Sequence, residues 1–122
     1  MEVITEGKVK TVYAGDDAQQ VIIEYHDKVT AGNGEMVDHP LGKGSLCCSI
    51  SSVIFEKLSK ENIPTHYIGM VGANKMICRK VEIIPLEVIC RNRAAGSIVR
   101  ETTLQEGYSL PHPIVEFFLK DD

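Results

Sequence analysis

The sequence predicts an α+β fold, an antiparallel β-sheet with one long helix packed on it, and three observations predict it. Short β-rich runs parted by glycines and polar turns open the chain, at Val3 to Glu6, Lys8 to Tyr13 and Val21 to Tyr25. Apolar residues then recur at helical spacing between Ser45 and Glu61. Beyond Pro64 the β-rich character returns and runs, with one short interruption, to Leu119.

Gly7 separates the first two runs and the polar stretch Gly15 to Gln20 precedes the third, which together read as an antiparallel meander. From Asp27 to Lys43 the chain has three glycines, a proline and few large apolar groups, so Thr30 to Leu41 is expected to be a functional loop or flexible flap. Leu46, Ile50, Val53, Ile54 and Leu58 make the stripe of the long helix, with Ser45 near its start and Asn62 then Pro64 beyond its end. That stripe is expected to lie on the sheet. Thr65 to Val71, Lys75 to Ile84 and Leu86 to Asn92 supply further strands, with Gly72 to Asn74 as a hairpin turn. A short helix capped by Ser97, a turn at Glu106 and Gly107, and a last strand Ile114 to Leu119 complete the set.

A chain of 122 residues fits a single domain over 1–122. Acidic residues outnumber basic ones, 17 to 13, and the net charge of -4 argues against a protein that coats nucleic acid. The amino terminus lacks the pattern of a secretory signal, and no apolar run approaches the ~20 residues that span a bilayer, so a cytoplasmic location with no membrane partner is expected. Cys47, Cys48, Cys78 and Cys90 form no CxxC pair and sit among apolar residues, as reduced core thiols would. His26, His39, His66 and His112 have no metal-ligand spacing, and no metal site is expected from them.

The stretch Pro85 to Ser97, PLEVICRNRAAGS, carries the most chemistry. In a strand, Leu86, Val88 and Cys90 point one way, into a core, while Glu87, Ile89, Arg91 and Arg93 share the other face. Ala94 to Gly96 admit a close approach, and Ser97 can open a helix with free N–H groups. Guanidinium groups beside such a turn suit a phosphate or carboxylate; a surface strand whose arginines pair with nearby acids fits the same pattern. Glu87 would orient Arg91 or pair with it structurally. Lys8 and Lys10, two apart on a strand, would present two ammonium groups on one face, either to a polyphosphate or to solvent.

These segments resemble the SAICAR synthetases, ATP-dependent carbon–nitrogen ligases of purine biosynthesis. The stretch Pro85 to Ser97 is similar to the family's first signature. GKVKTVY at Gly7 to Tyr13, TAGNGE at Thr30 to Glu35, GKG at Gly42 to Gly44, SSVIFEKL at Ser51 to Leu58, IPTH at Ile63 to His66, KVEIIPLEV at Lys80 to Val88, EGY at Glu106 to Tyr108 and FFLKDD at Phe117 to Asp122 match it in the same order. The resemblance implies a small ATP-binding lobe like that of a protein kinase. It assigns Lys8, Lys10 and Val12 to the loop over ATP, Lys80, Glu82 and Ile83 to the segment meeting the adenine edge, and Lys120 to the phosphates. It likewise assigns Asn33, Lys43, Arg91 and Ser97 to the phosphoribosyl-imidazole substrate, with Arg93 assisting. The implied ligands are ATP with Mg²⁺, carboxyaminoimidazole ribonucleotide and L-aspartate.

Family members are roughly twice this length, within the range of one or two domains. Their second signature, an Asp and a Lys before Glu-Phe-Gly, has no counterpart here. The chain therefore resembles the amino-terminal half of the enzyme, with the Mg²⁺ carboxylates expected in the other half and no activity expected from this half alone. A non-catalytic nucleotide-binding module and one chain of a split enzyme are the alternatives. A half-enzyme exposes apolar surface, so a homo-oligomer is expected. Cys47 and Cys48 stand where many members carry two asparagines, which removes hydrogen-bonding groups early in the long helix.

Overall fold

The computed structural model describes residues 1–120, and Asp121 and Asp122, the acidic end read from the sequence, lie outside the described residues. The chain divides into two compact units, Met1–Val81 and a second that starts at Glu82. In the first, strands β1 (Val3–Glu6), β2 (Lys10–Ala14) and β3 (Gln20–Tyr25) precede a small hairpin of β4 (Val29–Ala31) and β5 (Met36–Asp38). Helix α1 (Lys43–Lys60) follows, then β6 (Tyr67–Gly72) and β7 (Lys75–Arg79). The sheet is five-stranded and antiparallel in the order β1-β2-β3-β7-β6. The second unit holds β8 (Leu86–Arg93), a short helix α2 (Ser97–Glu101) and β9 (Ser109–Leu119), with β8 and β9 paired antiparallel.

Strand β2 starts later than the sequence predicts. Gly7 N–H donates to the Lys10 carbonyl at 2.8 Å, which closes a hairpin whose two tip residues are Lys8 and Val9. A chain reversal needs those two residues, so Lys8 leaves the strand and does not share a face with Lys10. The expected flap is also ordered differently. Its residues form the β4–β5 hairpin, turned by Gly32, Asn33 and Gly34, all at positive φ. Strand β7 ends at Arg79, and the segment expected to continue it to Ile84 leaves the sheet.

The long helix forms where predicted, but it is rotated. Its buried residues are Gly44, Cys48 and Ser52, whereas Leu46 and Val53 are 63% and 65% exposed and Ile50 and Ile54 face outward with them. The reason is distance. A β-carbon on Gly44 would lie 2.6 Å from the Tyr25 carbonyl oxygen, so the helix approaches β3 closely enough to admit only small side chains on that face. The core beneath is Val21, Tyr25, Cys48, Met76 and Cys78, flanked by Val12, Ile23, Phe55 and Tyr67. Ser52 Oγ and the Tyr67 hydroxyl share a hydrogen bond at 2.5 Å, which satisfies the one hydroxyl on the buried stripe.

Both helix ends obey capping chemistry, though not always with the expected residue. Gly42 occupies the N-cap at φ +86 with no side-chain bond, and Ser45 caps nothing. The Asp27 carboxylate takes that role from a distance, accepting from Gly44 N–H at 2.7 Å and Gly42 N–H at 3.1 Å. At the other end Asn62, at φ +60, and Ile63 donate to Ser59 and Leu58 carbonyls, the pattern of a helix stopped by a left-handed residue. Here the sequence signal of Asn62 before Pro64 marks the true end.

In β8 the expected orientation is reversed. Leu86, Val88 and Cys90 are exposed, and opposite them Leu119, Phe117 and Val115 are exposed too, while Ile89 and Arg91 are the sheltered positions. The core of this unit lies instead at Ala94 and Ile98, where the chain turns into α2, so the other side of the strand is covered. Cys90 is thus a surface thiol, unlike Cys48 and Cys78, which are fully buried.

Truncating Met76, with no exposure, should cost about 2–5 kcal/mol in denaturant unfolding. Ile50→Ala on the outward stripe should cost under about 0.5 kcal/mol. Equal losses from the two would contradict the observed rotation of α1.

Candidate functional site

Register places Lys10 and Val12 on one face of the sheet, opposite Tyr25 and Ile23 of β3. That face is the one α1 covers, because Tyr25 and Met76 join Cys48 of the helix in a single cluster. The Lys10 ammonium stands over the Tyr25 ring, 5.2 Å from its centroid, so the aromatic face holds a charge that remains exposed. Val12, half-buried, packs beside it against the same core. An exposed cation next to a half-buried valine at the edge of a β-hairpin suits a nucleotide, with one group for phosphate and one surface for a base. Lys8 sits apart at the hairpin tip, exposed.

The exit of β3 is pinned from several sides. Tyr25 N–H donates to the Asn74 carbonyl at 2.8 Å, Asn74 Nδ2 returns a bond to the Tyr25 carbonyl at 2.9 Å, and His26 N–H donates to the Val9 carbonyl at 2.8 Å. His26 Nε2 and Thr11 Oγ1 meet at 2.6 Å. Asp27 follows directly, and the Gly44 and Gly42 N–H groups hold its carboxyl below the ordinary range. Lys43, expected to reach substrate, donates from Nζ to the Lys28 carbonyl at 3.1 Å. Asn33 lies exposed in the β4–β5 turn.

Lys80 closes the first unit's sheet by donating its N–H to the Gln19 carbonyl at 2.7 Å. It lines a cavity of about 490 Å³ with Asp17, Gln19, Gln20, Ile68, Arg79 and Val81. Glu82 and Ile83 open the second unit, exposed, and make no backbone–backbone hydrogen bond among the described residues.

In the second unit Arg91 and Ser97 are brought together. Arg91 Nε donates to Glu116 Oε2 at 3.1 Å, Nη2 to Ser97 Oγ at 3.1 Å and Nη1 to the Ala95 carbonyl, and the side chain is only 10% exposed. Gly96, at φ +70, sits where a β-carbon would be 3.4 Å from Nη1. The guanidinium is therefore first of all a brace for the Ala95–Ser97 turn, with two N–H groups to spare. Ser97 is the first residue of α2 rather than its cap, since Gly96 holds that position. Glu116, not Glu87, orients Arg91. Sequence reasoning missed Glu116 and Asp27; the signal for the first was a lone acid within an apolar last strand, and for the second the lack of any capping side chain at Gly42. Arg93 donates to the Gly107 carbonyl at 3.1 Å, and Lys120 N–H donates to the Pro85 carbonyl at 2.9 Å, at the other end of β8 from Arg91.

Among the described residues no three His, Cys, Asp or Glu side chains gather to hold a metal. No helix there is long and apolar enough to cross a membrane. A sequence profile of the SAICAR synthetases matches residues 3–122. The chain belongs to the SAICAR synthetase family. It is 49% identical, over its whole length, to phosphoribosylaminoimidazole-succinocarboxamide synthase of Prochlorococcus marinus subsp. pastoris, covering 50% of that protein. Its structure resembles a type-2 SAICAR synthetase in complex with ADP at 42% identity and TM-score 0.90, covering 98% of this chain and 51% of that one. The same synthase from Ehrlichia chaffeensis matches at 35% identity and TM-score 0.91, with 98% and 51% covered. The chain thus spans about half the length of the SAICAR synthetases it matches. The antiparallel sheet and single long helix are shared with those structures, so the expected fold class holds.

Because the Asp27 carboxyl titrates below its usual value in the folded chain, its contribution to stability is complete above about pH 4 and disappears as pH falls through the lowered folded value. Unfolding midpoints measured from about pH 6 down to about pH 3 should fall with acid in the parent chain and fall less in Asp27→Asn. Identical pH profiles for the two would contradict the cap.

Proposed function

We propose that this chain is the nucleotide-binding lobe, the amino-terminal half, of a SAICAR synthetase, which joins L-aspartate to carboxyaminoimidazole ribonucleotide at the expense of ATP. A carboxylate resists amine attack until one of its oxygens becomes a leaving group. Transfer of the γ-phosphoryl group to that oxygen gives an acyl phosphate and ADP; the aspartate nitrogen then forms the amide bond and expels inorganic phosphate. Positioning and charge neutralisation are the tasks left to the protein. The observation that carries this reading is a family match over residues 3–122 with relatives named for the activity.

Lys10 is assigned to the ATP phosphates with Lys8 at the hairpin tip, Val12 to the adenine face, and Lys80, Glu82 and Ile83 to its edge through their backbone. The ADP complex of a 42% identical relative supports a nucleotide ligand. Lys120 is assigned to the phosphates as well. Asn33 is assigned to the ribonucleotide, as are Arg91 and Ser97 through the turn they brace and the two guanidinium N–H groups left over; Lys43, whose ammonium bonds the Lys28 carbonyl at the base of the arm that carries Asn33, is assigned to the same substrate. Mg²⁺ accompanies ATP, and no ligand for it is assigned within this lobe.

Calorimetric titration with ADP should show binding that weakens about tenfold in Lys10→Ala, a loss of about 1.4 kcal/mol. No heat from the parent chain at millimolar ADP would overturn the reading, and product from ATP, Mg²⁺, L-aspartate and the ribonucleotide without any second chain would overturn the half-enzyme. Light scattering on the same samples should report self-association, given the exposed Leu46, Ile50 and Val53 of α1; a monomer throughout contradicts that part.

A further inference from the structure

We infer that Asp27 is a positioning residue whose bonds to Gly42 and Gly44 set the pose of the β4–β5 hairpin and with it the Thr30–Asn33 segment. The inference rests on the proposed function in one respect only, that this segment meets the ribonucleotide.

The hairpin is isolated. Among the described elements β4 and β5 pack with each other and with no other strand or helix. Met36 is 70% exposed, Val37 is exposed beside it and Val29 is only half-buried, so little apolar burial fastens the arm. A two-stranded hairpin without such packing is marginal by itself, and its direction is decided where the chain enters and leaves it. Both points converge on one carboxylate. The chain enters through Asp27 and Lys28 and leaves through Gly42 and Lys43. Asp27 Oδ1 takes Gly44 N–H at 2.7 Å and Oδ2 takes Gly42 N–H at 3.1 Å. Lys43 Nζ crosses back to the Lys28 carbonyl at 3.1 Å, a second strap between the same two strands of chain. Lys43 N–H also donates to the Pro40 carbonyl at 3.2 Å.

The base under this clamp is rigid. Tyr25 and His26 are bonded to Asn74 and Val9, and Gly44 lies against the Tyr25 carbonyl with no room for a side chain. Asp27 therefore transmits a fixed frame to an arm that is otherwise tied, among the described contacts, by the Lys43–Lys28 strap. Two acceptor oxygens are required, because the two N–H donors belong to residues on either side of Lys43. Asparagine offers one acceptor and a competing donor, and alanine offers none.

The test uses the whole chain, labelled with ¹⁵N. Residual dipolar couplings for residues 29–38 should fit the same alignment frame as β2, β3 and β7 in the parent. In Asp27→Ala the couplings of 29–38 should collapse while those of the sheet persist, and Asp27→Asn should lie between. Titration with carboxyaminoimidazole ribonucleotide should weaken about tenfold in Asp27→Ala, with ADP affinity within about twofold of the parent, as misplacement of one binding segment predicts. Unchanged couplings of 29–38 in Asp27→Ala overturn the inference, and so does a parallel loss of ADP and ribonucleotide binding, which marks a merely structural role. A parent chain that holds its couplings but ignores the ribonucleotide defeats the functional reading, while the couplings still decide for or against the clamp.

Discussion

The first unit depends on how closely α1 lies against the end of β3. At Gly44 the helix backbone comes within a β-carbon's reach of the Tyr25 carbonyl, and the next residues of β3's exit supply the carboxylate that caps the helix. That contact dictates which face of α1 is buried. It admits glycine, cysteine and serine and turns leucine, isoleucine and valine outward. It also fixes the floor beneath Lys10, because Tyr25, which the Lys10 ammonium overlies, belongs to the same core cluster as Cys48. Burial pushes the Cys48 thiol up and that of Cys78 up to about 11, so the sulfur groups under this seam stay protonated and packed rather than reactive.

Strand and helix positions were legible because they rest on local rules. Glycine and polar turns bound the meander, and Asn62 with Pro64 stops the helix where the left-handed Asn62 lies. The rotation of α1 was not legible, since apolar periodicity marks a stripe without saying which neighbour it meets. Gly44, Cys48 and Ser52 carry the opposite signal, small residues four apart, and it outweighs the hydrophobic one only when a second backbone stands a few ångströms away. The hairpin inside the flap was not legible for a related reason: glycines at 32 and 34 signal a loop, yet they are also what a tight hairpin turn requires.

In the second unit the anion-receptor reading and the ion-pair reading of Arg91 converge. The guanidinium is consumed in part by Glu116, Ser97 and Ala95, so the nearby acid is real, and the turn it shapes is the one the sequence singled out. The acid came from β9, more than twenty residues away, where single-sequence reasoning has no register to work with. Lys10 was singled out by its spacing from Lys8 and given its role by family likeness, whereas Val12, Lys80, Glu82 and Ile83 were reached through likeness alone. Their setting adds what likeness lacks: an exposed cation over an aromatic ring, a half-buried valine beside it, and peptide groups at Glu82 and Ile83 outside any ladder.

The central claim is the proposal that the first unit holds ADP, with β2 and Lys80 as its contacts. Amide chemical shifts of the ¹⁵N-labelled chain recorded with increasing ADP test it most directly. The account predicts the largest changes at Lys10 to Val12 and at Lys80, with little at Ser109 to Glu116. Changes confined to β9, or none at saturating nucleotide, would contradict it.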